Sequence, residues 1–540
     1  GRHVIGYEVQ KVRSVVDWFR QRSGARVGVA GYGEGGLIAF YAAAADPRID
    51  ACLVSGYFDP QERVWEEPIY RNIFGLLREF GPAEIATLIA PRGLVIEHST
   101  VPNVIGPPAA QPRRRGAAPG GLRNFPFAAV QAEFGRIDSL LKPGFQPKHL
   151  VRGPGGTHSG SQKAVESFAR LLGVTSAMEL SSRVAVDQRK NFDPGRRQML
   201  QVKELENHVQ WLLRDRDKSR DKFLLSHTAA DFAMLKDFEP EARKYREYLW
   251  DELLGRIEDA PLAPAPRSRK VYDRPKWVGY EVVLDVFPDV FAWGVLLLPK
   301  DLKPGEKRPV VVCQHGRGAI PKDTIEGDHR HYHDFAARLA DRGFIVFAPH
   351  NPYRGEDRYR FLNRKANALK ATLFSFILAQ HQQILNWLET LPEVDPARIA
   401  FYGLSYGGET AVRVPPLLER YCLSICSADF NDWARKVASA QSRYSFMFTD
   451  EWEMPYFDLG SASSYAEMAS LMIPRPFMVE RGHFDGVAPD EWVAYEYAKV
   501  RRLYDRFGLS DRTEIEFFNG VHTINGQGTF RFLEKHLRKQ

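Results

Sequence analysis

Apolar residues in the C-terminal half of the chain recur in short, nearly continuous runs of strand length. These are GYEVVLDVF (279–287), FAWGVLLLP (291–299), PVVVCQHG (309–316), GFIVFAPH (343–350), RIAFYGLS (398–405), CLSICSAD (422–429), PFMVERG (476–482) and TEIEFFNG (513–520). Between most of the later runs the spacing changes to a helical period, in HDFAARLADR, over 366–390 and after Ser405. Strands that are apolar throughout and alternate with helices predict an α/β protein with a mostly parallel eight-strand sheet covered on both faces. The N-terminal residues are helical in period instead, with Val9, Val12, Val15, Val16 and Phe19 on one stripe. That helix leads straight into a strand and a glycine-rich turn.

The pattern contains an internal repeat. GYGEGG (31–36) aligns with GLSYGG (403–408), which puts Gly33 opposite Ser405. At the same offset CLVSGYF (52–58) matches SICSADF (424–430). AEIATLIAPRGLVIE (83–97) matches AEMASLMIPRPFMVE (466–480), and GGTHSGSQKAVESF (155–168) matches NGVHTINGQGTFRF (519–532), with His158 opposite His522. Four blocks in one order predict two copies of one fold. The first copy, 1–173, lacks the serine and begins partway through the fold, so its elbow strand is expected at a raw sheet edge. The second, 271–540, is complete. Between them, 174–270 reads as a helical linker packed between the two copies. Met199, Val202, Leu205, Val209, Leu212 and Leu213 keep helical spacing, as do Tyr245, Leu249 and Leu253, before the proline-rich APLAPAP (260–266). The insertion GPPAAQPRRRGAAPGGL (106–122), with Arg113–Arg115, reads as a solvated loop.

Composition narrows the classes. A chain of 540 residues is too long for one core. Its 74 basic and 67 acidic residues leave a net +7, scattered and without nucleic-acid-binding spacing, so no nucleic-acid partner is expected. No apolar run reaches the roughly 18 residues of a membrane span. Four cysteines are too few for a disulfide scaffold, and Cys313, Cys422 and Cys426 lie in apolar runs, as small buried residues do.

The chemistry concentrates in the second copy. G-x-S-x-G at 403–407 sits where a strand passes into a helix, the context in which a serine is lifted above a sheet as a nucleophile. His522, after the last strand, is the candidate base. Two carboxylates compete to orient it, Asp485 in RGHFDGVAP and Glu480 at the preceding strand's end. Glu480 has a counterpart, Glu97, in the serine-less copy, whereas Asp485 falls opposite Pro102, which favours Asp485 as the acid; His158, however, also survives in that copy. Backbone amides of Tyr406 and of Arg317, with Gly316 as alternative, are the candidate oxyanion donors. Arg354 and Arg358, in the arginine-dense NPYRGEDRYRFLNRK (351–365), and Trp433 are candidate substrate contacts. For the 351–365 stretch a solvated loop with internal ion pairs is the simpler reading. HRHYH (329–333) would put His329 and His333 on one helix face, but no third ligand is evident. No metal or cofactor is expected.

The motifs HGRG, GLSYGG, GHFDGVAP and GVHT, in the order Ser, Asp, His, resemble the α/β-hydrolase superfamily, in its dienelactone hydrolase-like and acetyl xylan esterase-like branch. The resemblance covers 270–540 fully and 1–173 as a degenerate copy. It implies cofactor-free hydrolysis of a small-molecule or carbohydrate ester. Dienelactone hydrolases use a cysteine nucleophile, so Ser405 points to the esterase side. A serine peptidase of the prolyl-oligopeptidase type, or a non-catalytic binding module, remain as alternatives; the first would need a β-propeller and the second leaves the triad of 270–540 unexplained.

Overall fold

The apolar runs fold as strands and collect into two separate sheets. The computed structural model describes residues 3–107, 117–141, 145, 147–153, 158–176, 186–220, 234–355 and 358–538; Arg113–Arg115, Glu356 and Asp357 lie outside the described residues. The first half contributes β1 (Gly28–Tyr32), β2 (Ala51–Ser55), β3 (Gly93–His98), a small ribbon of β4 (Val104–Gly106) and β5 (Gly120–Leu122), and β6 (Lys148–Arg152). β1, β2, β3 and β6 form a four-stranded parallel sheet in that order. Among the described residues β1 pairs only with β2, and its other edge carries no strand.

The second sheet comprises β7 (Arg267–Asp273), β8 (Trp277–Phe287), β9 (Val290–Pro299), β10 (Arg308–Gln314), β11 (Ile345–Pro349), β12 (Val394–Leu404), β13 (Tyr421–Ser427), β14 (Phe477–Gly482) and β15 (Thr513–Phe518). Its order is β15-β14-β13-β12-β10-β11-β9-β8-β7. β10 to β15 run parallel, and β9, β8 and β7 complete one edge antiparallel. The sheet thus has nine strands, not eight. The additional one, RSRKVYD, is an exposed edge strand with no apolar face, so hydrophobic periodicity does not reveal it. It also moves the start of this unit ahead of the expected boundary at 271.

Alternation along the central strands builds two cores. Val310, Val312, Ile399 and Phe401 face one layer, and Val311, Cys313, Ala400 and Tyr402 the other. The linker joins the first of these. Phe238, Leu249, Leu253 and Leu254, from the helix Leu235–Tyr248 and the π-turn after it, are buried in that core. The long helix Pro194–Arg220 is tied down by Arg216, which pairs with the buried Asp432, and by Gln210 and Arg220, which donate to the carbonyls of Ala438 and Gly460.

The arginine-dense stretch is not a solvated loop. Residues 358–368 form a helix in which Arg360 and Arg364 are buried. The expected single helix over 366–390 is broken at Lys370, whose φ is 61°, and resumes as Leu373–Leu388. The helix Arg358–Ala368 is where the halves meet. Arg364 donates to the carbonyls of Glu67 and Pro119, Asn72 Nδ2 donates to Arg364 O (2.6 Å), and the Gly75 amide donates to Asn367 O (2.7 Å). Trp65 meets Phe361 edge to face, and Phe74 stacks on Phe457.

Each sheet carries a sharp turn at the end of one strand, and the two turns coincide in backbone geometry. Ser405 has φ 61° and ψ −122°, and Gly33 has φ 57° and ψ −118°. The Ser405 amide donates to Ser427 O (3.0 Å), and that of Gly33 to Ser55 O (2.9 Å). A Cβ on Gly403 would lie 2.2 Å from Gly407 O, and one on Gly31 would lie 1.9 Å from Gly35 O. The loop after β10 is fixed by two histidines. His315 Nδ1–H donates to Gly316 O (2.8 Å), which leaves Nε2 to accept from His350 Nδ1 (3.0 Å). Burial holds His315 down at about 3 and His350 at about 4, so both rings are neutral.

Gly403→Ala is expected to destabilise the protein by about 1–3 kcal/mol or more, whereas Gly486→Ala, with nothing within 4 Å of the added Cβ, should be neutral. Thermal unfolding of the two variants checks this. A depressed histidine pKa means that the unfolded chain takes up protons first, so stability is complete above the ordinary value of 6.5 and is lost as pH falls toward 4 and 3. His315→Gln should make the decline of the urea midpoint between pH 6.5 and 4 shallower than in the unmodified protein.

Candidate active site

Loops at the carboxyl ends of β10, β12, β14 and β15 carry the candidate residues. Ser405 stands at the turn between β12 and the helix Tyr406–Arg413, in the left-handed region that non-glycine residues seldom occupy. Gly316, after β10, packs so close that a Cβ there would fall 2.8 Å from the Ser405 Cβ. Asp485 follows β14. It is buried, its Oδ1 accepts the Val487 amide (2.8 Å), and Arg481 pairs with its Oδ2 (3.1 Å). His522 follows β15, and its Nδ1–H donates to Asp485 Oδ2 at 3.0 Å.

Glu480 is engaged elsewhere. Fully buried, it accepts from Ser427 Oγ (2.6 Å), Tyr402 OH (2.8 Å) and the amides of Asn525 (3.2 Å) and Gly526 (2.9 Å), and burial raises its pKa. Glu97 holds the same place in the first half. It accepts from Ser55 Oγ (2.6 Å) and from the amides of Gly160 and Ser161 (both 2.8 Å). These carboxylates lock the loop after the last strand to the sheet. In the first half Val101 lies over the turn at Gly33, with Cγ1 3.5 Å from the position of a Cβ at that residue, and His158 is exposed.

The two candidate oxyanion amides in the loop after β10 differ. Gly316 N–H is donated to Tyr332 OH (2.8 Å), whereas the amides of Arg317 and of Tyr406 make no hydrogen bond among the described residues. Tyr332 belongs to HRHYH, which is not a helix. It is a strap of turns ending in His333 and Asp334, at φ 46° and 51°. His333 is taken by Asp328 (2.8 Å), so His329 and His333 do not share a helix face. The strap ties two loops of the site together. Tyr332 holds Gly316, His331 Nδ1–H donates to His522 O (2.6 Å), and the Ile524 amide donates to His331 O (2.9 Å). Only the cluster of histidines and its odd spacing marked this segment in the sequence. Among the described residues no group of three or more His, Cys, Asp or Glu side chains is arranged to hold a metal ion.

The remaining candidates separate. Trp433 is 1% exposed and packs on Phe446, Tyr456 and Tyr465, with the Arg413 guanidinium over its ring; it is core, not a subsite wall. Arg354 and Arg358 are exposed, and Arg358 opens its helix. Reaching Tyr406 instead is the segment Asp450–Glu453, which sequence reading passed over. Tyr406 OH lies 2.8 Å from Glu453 Oε1 and 3.1 Å from Glu451 Oε1, so its one proton is shared between the two carboxylates. Arg360 pairs with Glu453 (2.8 Å), and Arg317 with Glu451 (3.4 Å).

Several solved structures are similar at low identity. A glucuronoyl esterase from Solibacter usitatus is 12% identical, with 56% of this chain and 93% of that chain covered and a TM-score of 0.43. Acetyl xylan esterases from Paenibacillus sp. R4 (19%, 57% and 95%, 0.40) and Thermoanaerobacterium sp. JW/SL YS485 (16%, 54% and 93%, 0.37) are similar in the same way. Residues 294–421, from within β9 to the first residue of β13, match the model of the dienelactone hydrolase family. The segment 294–421, which includes the elbow, is thus similar to the dienelactone hydrolase family, and the sheet that holds it has the α/β-hydrolase fold.

Proposed function

We propose that the protein is a serine carboxylic-ester hydrolase that works through an acyl-enzyme, with Ser405 as nucleophile, His522 as general base and Asp485 as the acid that orients it. The observation that carries the reading is the His522–Asp485 hydrogen bond at 3.0 Å, on loops at the same carboxyl end of the sheet as a strained elbow that presents a serine. His522 Nε2 takes the proton from Ser405 as Oγ attacks the ester carbonyl. The amides of Tyr406 and Arg317 hold the tetrahedral oxyanion. Collapse expels the alcohol with the proton from His522, and water then repeats the sequence on the acyl-serine. Asp485 keeps Nδ1 protonated, so Nε2 is the nitrogen that receives the proton, and stabilises the imidazolium. An ester of a carbohydrate is the substrate class that the motif resemblance favours.

In this proposal residues 1–173 are a second, degenerate copy of the same fold. The shared elbow angles and the matching Ser55–Glu97 and Ser427–Glu480 bonds support that reading. With Gly33 in the serine's place and Pro102 in the acid's, the first copy does no hydrolysis. It serves as a scaffold that holds the helix Arg358–Ala368.

Ser405→Ala should reduce kcat on p-nitrophenyl acetate by at least about 10⁴-fold and abolish labelling by a fluorophosphonate. Asp485→Asn should cost about 10³- to 10⁴-fold in kcat, while Glu480→Gln should lower the melting temperature more than kcat. Turnover of a prolyl peptide anilide in preference to the ester would reverse the choice of reaction.

A further inference from the structure

The two residues offering free amides to an oxyanion, Arg317 and Tyr406, come from loops 89 residues apart in sequence, and no backbone hydrogen bond joins them among the described residues. Their side chains converge on one atom. Glu451 Oε1 accepts from Tyr406 OH at 3.1 Å and stands 3.4 Å from Arg317 Nη1. We infer that Glu451 is a positioning residue, a carboxylate clamp that sets the spacing of the two oxyanion-hole amides by gripping both side chains at once. The inference rests on the proposed acyl-transfer reading.

The surroundings fit a clamp better than a substrate contact. The Glu451 side chain is largely shielded, at 16% exposure, and Arg317 also faces Asp450 (3.5 Å), so the guanidinium charge is already answered. Tyr406 is 5% exposed and wedged edge to face against Tyr353, whose hydroxyl meets Thr410 Oγ1 (2.6 Å), so its ring cannot swing away from the carboxylates. Glu453 takes the same phenol at 2.8 Å and is itself held by Arg360, on the helix that the first half braces. Glu451 differs from Glu453 in reaching Arg317, and among the described residues it is the carboxylate that contacts both side chains. The geometry matters because a donor must meet the oxyanion within a few tenths of an ångström, and small misplacements cost large factors in rate.

Glu451→Ala should lower kcat on p-nitrophenyl acetate by about 10- to 100-fold with KM within about twofold. The Ki of a trifluoromethyl ketone, which forms the oxyanion on the enzyme, should weaken by a comparable factor. Glu451→Gln keeps an oxygen acceptor for both partners and should recover to within about fivefold of the unmodified enzyme. Tyr406→Phe should add little to the loss in the Glu451→Ala background, since one linkage is already broken. Unchanged kcat in Glu451→Ala, a change confined to KM, or a loss in Glu451→Gln as large as in Glu451→Ala would each overturn the clamp. Melting temperatures of both variants are measured alongside. A folding defect that accounts for the lost rate, with the ketone Ki unmoved per folded molecule, also overturns it. Ser405→Ala is run in parallel, because full activity there would sink the acyl-enzyme reading itself, whatever Glu451 does.

Discussion

A positive φ at a residue that bears a side chain is the constraint around which the C-terminal sheet is organised. Such a backbone costs about 1–3 kcal/mol where the surroundings do not over-determine it. Here they do. The Ser405 amide is pinned to β13 through Ser427 O, and its carbonyl accepts the Glu409 amide (2.8 Å) to start the helix. Backbone oxygens at Gly407, Gln314 and Ser427 crowd the positions where side chains at 403, 407 and 408 would begin, so the turn closes only with glycine there. The serine is thereby held at the carboxyl end of the sheet, the end at which the loops after β14 and β15 pair Asp485 with His522.

How much of this could be read from the sequence follows from where each residue is buried. Strands β10 to β14 were legible because strands covered on both faces are nearly continuous in apolar residues, and β8 because its buried positions largely alternate. β7 was not, since an edge strand exposed on both faces carries no such signature. Arg360 and Arg364 look like surface charge, yet their partners, Glu453 and the carbonyls of Glu67 and Pro119, lie far away in sequence and invisible to local pattern. The i, i+4 histidines of HRHYH suggest ligands only on a helix, and left-handed residues at 328, 333 and 334 remove the helix. The choice between Asp485 and Glu480 was open to sequence only through the internal repeat. In the structure the two carboxylates have separate hydrogen-bond partners, an imidazole for one and hydroxyls and amides for the other.

The meeting of the halves links the first sheet to the segment beside the elbow of the second. Trp65, Phe361 and Trp452 touch in series, from the first half through the helix Arg358–Ala368 to the segment that carries Glu451 and Glu453. The hydrogen bonds to Arg364 and Asn367 fix the C-terminal half of that helix, and the ring contact at Phe361 holds it nearer its start. Packed rings and main-chain bonds of this kind resist sliding, which suits a support whose far side holds charged groups in place.

The valine over Gly33 limits what a substitution at that turn could achieve. A serine installed there would emerge into a methyl group instead of solvent, with a proline where its carboxylate partner should stand. In the proposed degenerate copy, a working site would therefore need changes at 33, 101 and 102 together, a route that no single substitution opens.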